Sequence, residues 1–160
     1  MIAILAAISV VAYNGVQARA ENAKTVAAAS YWAKALLMHK GDNGGYPSTQ
    51  SCLGSAATYT SSGGGRCWNS ATDTTWSVQA GFLSAMSLYM SSQPEPSQVN
   101  VNTAASQRRG AIFYRPAAGD ERIYTAMIGF DACPSISGLG SSIGSTNFVT
   151  GKECYYRLPQ

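Results

Sequence analysis

Charge is scarce in this chain. Only 12% of its 160 residues are Asp, Glu, Lys or Arg, well under the usual quarter or so. A solvated disordered chain needs more charge and less apolar content than the 46% found here, so the composition specifies a packed core. Histidine occurs once, as His39, and no C-x-x-C pair is present, which disfavours a zinc site. No N-x-S/T acceptor for N-glycans occurs. Asp42-x-Gly44 and Asp120-Glu121 match no ordered calcium loop and read as turns. Ser62-Gly63-Gly64-Gly65-Arg66 lacks the G-K-[ST] ending of a phosphate loop and reads as linker. His39 and Asp42 have no serine or cysteine nucleophile set beside them by any motif. His39 reads instead as a solvated residue favoured by a helix C-terminus. We expect no catalytic, cofactor-binding or metal-binding residues, and no enzymatic activity.

What is present is unevenly placed. Residues 1–40 hold four basic side chains against one acidic, whereas residues 41–160 hold seven of each. The length suits one domain. Four cysteines, Cys52, Cys67, Cys133 and Cys154, at wide spacings read as two disulfides formed in an oxidising compartment. Three connectivities are open. Pairing nearest neighbours would close two short loops, each stabilising by about 3 kcal/mol in the chain-entropy picture.

The first thirteen residues, MIAILAAISVVAY, are almost wholly apolar. They have no polar helical face, so they are not an ordinary amphipathic surface helix. They are also shorter than the roughly 20 residues that cross a bilayer. With no charged start and no cleavage site, they make a poor signal peptide. Alanine-rich helix pattern follows, with Val16, Ala20, Ala23, Ala27, Ser30, Ala33 and Leu37 spaced as one core-facing stripe and Arg19, Asn22 and Lys24 off it. Asn14-Gly15 is the local helix breaker. Lys40-Gly41 is the expected end. The whole is a helix of about forty residues, far above the common length.

Residues 46–74 read as a long loop pinned by Cys52 and Cys67. A second helix is expected over Thr75 to Met90, capped by Asp73 or Thr74, with Phe82, Met86, Tyr89 and Met90 on one face. Gly110–Arg115 and Arg122–Phe130 form a hairpin about the turn 117–120, with Tyr124, Ala126, Ile128 and Phe130 on the more apolar side of its second strand. Residues 134–151 read as loop. Lys152 to Leu158 alternates, with Cys154, Tyr156 and Leu158 opposite Glu153, Tyr155 and Arg157. The fold class is α+β. A long N-terminal helix (1–15 protruding and apolar, 16–40 amphipathic) lies on a small antiparallel sheet of three or four strands within a head of residues 41–160. A short second helix completes it.

This order of elements, with Ile4-Leu5-Ala6-Ala7-Ile8-Ser9-Val10-Val11-Ala12-Tyr13, resembles the type IV pilins. The likeness is specific over about residues 2–40 and architectural beyond. The loop between Cys133 and Cys154, before the last strand, is similar to the family's C-terminal disulfide loop. The family's basic leader, glycine, phenylalanine and glutamate-bearing apolar run would all precede Met1, so the resemblance implies a chain that starts inside the assembly helix. Val11 replaces a proline common near the aromatic. The resemblance implies a structural subunit that polymerises with itself, into an extracellular filament, from a membrane precursor pool. Ile2, Ile4, Leu5, Ala6, Ala7, Ile8, Val10, Val11 and Tyr13 would carry that contact. A prepilin peptidase and pilus assembly machinery are the implied partners, and adhesion, surface motility or DNA uptake the implied roles. Rival readings are a pseudopilin of a type II-like secretion system and a membrane-tethered extracellular binding module. Arg108 and Arg109, near several aromatics, are weak nucleic-acid candidates, with an aromatic core and solvated arginines as the plainer reading.

Overall fold

A computed structural model describes residues 2–62, 65–70, 75–103, 105–129 and 131–160, and the side chains of these residues other than 2–12 and 60–62. Helix α1 spans Ile2–Asn43, about 63 Å at the usual rise. It runs unbroken through Asn14-Gly15, so the expected break is not there. One glycine costs only about 1 kcal/mol against alanine, which a long alanine-rich helix absorbs. The helix also passes Gly41 and ends at Asn43, whose Nδ2 donates to the His39 carbonyl at 3.0 Å. Gly44, at φ +71°, turns the chain out.

Among the described residues eight strands follow: β1 (Ser51–Leu53), β2 (Arg66–Asn69), β3 (Trp76–Ser77), β4 (Gln107–Arg108), β5 (Ala111–Tyr114), β6 (Arg122–Ile128), β7 (Gly144–Asn147) and β8 (Gly151–Arg157). They form two antiparallel sheets, one ordered β1-β5-β6-β8-β7 and one ordered β3-β2-β4. The expected single sheet of three or four strands is thus a five-stranded sheet with a second, three-stranded one beside it. The span 46–74 is not plain loop: it carries β1, a 3-10 helix (Ala56–Ser62) and β2. The span 134–151 likewise carries β7.

Helix α2 (Ala80–Met86) is shorter than expected. Trp76 and Ser77 pair with Trp68 and Arg66 instead of joining it, because the Trp76 ring packs on Trp68 and Tyr114 at 6.4 and 5.2 Å between centroids. The expected caps Asp73 and Thr74 lie outside the described residues, as does Phe130.

The architecture has three layers. The helices cover one face of the five-stranded sheet and the three-stranded sheet covers part of the other. On α1 the packing face is Asn22, Thr25, Ala29, Trp32 and Leu36, not the expected stripe. Val16, Ala20, Ala23 and Ala27 are exposed, and of the seven expected positions only Ala33 is fully buried. Side-chain area decides this: covering Trp32 and Leu36 gains more than covering a row of alanine methyls. These two meet Leu53, Phe113, Ile123, Met127, Tyr156 and Leu158, and Phe82 and Met86 of α2 complete the cluster. Phe82 stacks between Trp32 and Phe113, at 5.8 and 5.5 Å.

The hairpin β5–β6 forms as expected, with Asp120 N–H donating to the Ala117 carbonyl. In its second strand Ile123, Thr125 and Met127 are buried on the α1 side, and on the far side Ala126 is buried while Tyr124 and Ile128 are half-buried. In β8, Cys154 and Tyr156 point to the core, followed by Leu158 just past its end, as the alternation requires. Disulfides join Cys52 to Cys67 and Cys133 to Cys154. The first staples β1 to β2 and so holds the small sheet on the large one. The second ties the 134–143 loop to β8.

Candidate assembly helix and the sites on the head

Among the described side chains of α1, docking on the head starts near the middle of the helix. Asn22 makes the first anchored contact: its Nδ2 donates to the Ile128 carbonyl at 2.9 Å, and its Oδ1 accepts the Ile128 N–H at 2.8 Å. The side chain thereby finishes the end of β6 as a neighbouring strand would. Asn22 was read as lying off the packing face; nothing in its polarity signals this role. One turn on, Thr25 is buried, donating to the Glu21 carbonyl and accepting the Ser97 N–H at 3.1 Å. Trp32 Nε1 donates to the Pro94 carbonyl at 2.9 Å. Near the helix end, Lys40 Nζ and Tyr46 Oη both donate to the Pro159 carbonyl. Burial pushes the Tyr46 hydroxyl up to about 12, helped by the charge of Glu121.

From Tyr13 to Ala20 most of the described side chains are exposed. Tyr13 is 69% exposed and Val16 67%, and Asn14, Gly15, Gln17, Arg19 and Ala20 are exposed as well. The backbone of Ile2, Ile4, Leu5, Ala6, Ala7, Ile8, Val10 and Val11 is helical, while their side chains lie outside the described residues. Among the described residues no helix is long and apolar enough to cross a membrane.

The candidate polar sites of the head are structural in their contacts. His39 Nδ1 bonds the Gly45 carbonyl at 3.0 Å, and its ring meets Tyr89 edge-on, so it is not a freely solvated side chain. Asp120 accepts from Arg122 and Arg157, and Glu121 from Arg115 at 2.8 Å. Hydrogen bonding by Arg122 holds the Asp120 carboxyl below its usual value. Gly63 and Gly64 of the glycine linker lie outside the described residues.

Arg108 and Arg109 are not solvated, contrary to expectation. Arg108 is 7% exposed, with its guanidinium 3.0 Å from the centroid of the Trp68 ring and 5.4 Å from that of Phe148. Cation–π attraction of this kind strengthens as water is removed. Arg109 is buried too, and desolvation lowers its pKa. Sequence reading missed Glu153, which is 3% exposed although it sits on the polar side of the β8 alternation. Burial pushes its carboxyl up to about 7, and the charge of Arg108 partly offsets this.

Compared with known protein families, with curated protein sequences and with solved structures, the chain finds no match in any of the three.

Proposed function

We propose that this chain is a structural subunit that self-assembles through its apolar N-terminal helix into an extracellular filament of the type IV pilus kind. One observation carries the reading: a helix of 42 residues whose anchored contacts with the head, among the described side chains, begin at Asn22. The free part leads back into the run MIAILAAISVVAY. In water, Ile2, Ile4, Leu5, Ile8, Val10 and Val11 demand cover, and each covered aliphatic side chain gains roughly 1.5–3 kcal/mol. Ala3, Ala6, Ala7, Ser9 and Ala12 are small enough to let helices approach closely. Repetition of a head-to-tail contact that does not close on itself produces an open helical polymer. The head, held by two disulfides, would form its outer surface. In this reading the membrane holds the subunit before assembly, and export machinery delivers it.

Ala7→Arg tests the seam. It places an unpaired charge among apolar side chains, which is costly without a partner. The variant should keep the melting temperature of the head and yield no filaments in electron micrographs of material sheared from the cell surface. Filaments of normal length and number from Ala7→Arg would refute the reading.

A further inference from the structure

Five aromatic rings adjoin one another across the sheet face that turns away from α1. In order they are Trp68, Trp76, Tyr114, Tyr124 and Tyr155, with successive centroids 6.4, 5.2, 5.0 and 4.4 Å apart. Each keeps part of its surface open to solvent. The row crosses three strands of the large sheet and two of the small one, so no single segment of sequence displays it. Rings this close hold one another in place, and the Cys52–Cys67 bond fixes the two tryptophan-bearing strands over the large sheet.

Where Trp76 meets Tyr114 the face opens into a cleft of about 560 Å³, whose polar lining includes Ser48, Gln50, Ser77 and Gln79. Among the described residues no charged side chain lines it. Gln50 donates through Nε2 to the Arg115 carbonyl at 3.0 Å, while its Oε1 is enclosed and accepts no hydrogen bond from the described residues. Gln79 Nε2 donates to Ser77 Oγ at 3.0 Å, which steadies its amide.

We propose that this cleft and its aromatic row bind a neutral carbohydrate chain. A pyranose ring has an apolar C–H face and a rim of hydroxyls. Aromatic rings with uncharged amide and hydroxyl neighbours match both at once, in the manner of a pocket that is mostly apolar with a few placed polar groups. Single-stranded nucleic acid also stacks on aromatic rows, but it needs a basic track for its phosphates. Of the arginines beside this row, Arg115 pairs with Glu121, Arg122 and Arg157 share the one carboxylate of Asp120, and Arg108 is buried against the Trp68 ring, so no continuous basic track runs along it. The electrostatics therefore favour an uncharged polymer over a polyanion. The rings are preorganised, which cuts the ordering cost of binding. This site does not depend on the filament reading, since it uses the head alone.

The test is affinity electrophoresis of the full chain, kept in a zwitterionic detergent without a sugar headgroup, through native gels containing hydroxyethylcellulose, galactomannan or dextran. At least one of these should retard the protein. Trp76→Ala and Tyr114→Ala should each weaken that retardation tenfold or more. Gln79→Ala, which removes no core side chain, should weaken it at least threefold while the circular dichroism spectrum stays unchanged. A fluorescent dT20 strand, followed by anisotropy, should bind more weakly than the best polysaccharide. The proposal falls if none of the three polysaccharides retards the chain, if folded Trp76→Ala and Gln79→Ala run like the parent, or if dT20 binds more tightly than all three.

Discussion

Glu153 shows how much one side chain can cost when two layers close over it. Its strand β8 runs between β6 and β7, where Ala126 and Thr146 are its partners. Arg108 of the small sheet is the cation that partly compensates, and Tyr155 is a near neighbour on the same strand. With burial raising the folded carboxyl to about 7, the sign of the pH dependence is fixed. Below about pH 4 the group is protonated both folded and unfolded, and it is neutral to stability. Between about pH 4.5 and 7 the unfolded chain has lost a proton that the folded chain keeps, so stability falls as pH rises. Above about pH 7 the loss is complete, on the order of 3 kcal/mol. Glu153→Gln should abolish that fall. Its melting temperature should match the parent near pH 4 and exceed it at pH 8. A parent whose stability does not decline between pH 4.5 and 7 would show the carboxyl to be better compensated than this.

At the scale of elements, legibility followed from how many faces a segment buries. Strand β8 was readable because Cys154, Tyr156 and Leu158 alternate with Glu153, Tyr155 and Arg157. In strand β6 the more apolar side does not single out the face that meets α1, because both faces are covered: α1 covers Ile123 and Met127, while Tyr124 packs against the small-sheet cluster. A strand covered on both sides offers no alternation to read. The small sheet was invisible since each of its strands has two to four residues, and its stability comes from the Cys52–Cys67 bond and ring packing across the chain. The same long-range assembly brings Arg108 onto Trp68, so the burial of a cation could not be seen in its own neighbourhood. On α1, alanines populate both faces, so the periodic stripe of small residues pointed outward, and Trp32 with Leu36 marked the true face.

Asn22 tests that docking geometry directly. Asn22→Ala removes both hydrogen bonds to Ile128 and leaves a backbone N–H and a carbonyl to find other partners. The expected loss is about 1–3 kcal/mol, with faster hydrogen exchange at the Ile128 amide. An unchanged melting temperature would mean that the helix is held by Trp32 and Leu36 alone.

At the scale of the whole molecule, the head and the described helix residues before Asn22 differ in their burial. The head encloses its aromatic and aliphatic side chains around Trp32 and Phe113 and is crosslinked twice. The described side chains of the helix before Asn22 add no member to that core: Tyr13, Val16 and Ala20 are exposed. If the first turns serve association and not folding, the two properties can be separated by shortening the chain. A protein beginning at Gln17 retains Asn22, Thr25, Trp32 and Leu36, and with them every described core contact of α1. It should be monomeric by analytical ultracentrifugation without detergent, and melt within a few degrees of the full chain measured in detergent. The full chain, with Ile2 to Val11 present, should associate under the same detergent-free conditions. Cold, soluble monomers of the full chain would place its apolar turns against its own head, and a shortened chain that failed to fold would make those turns part of the core. Either result would remove the physical basis for a subunit whose helix is completed only by its neighbours.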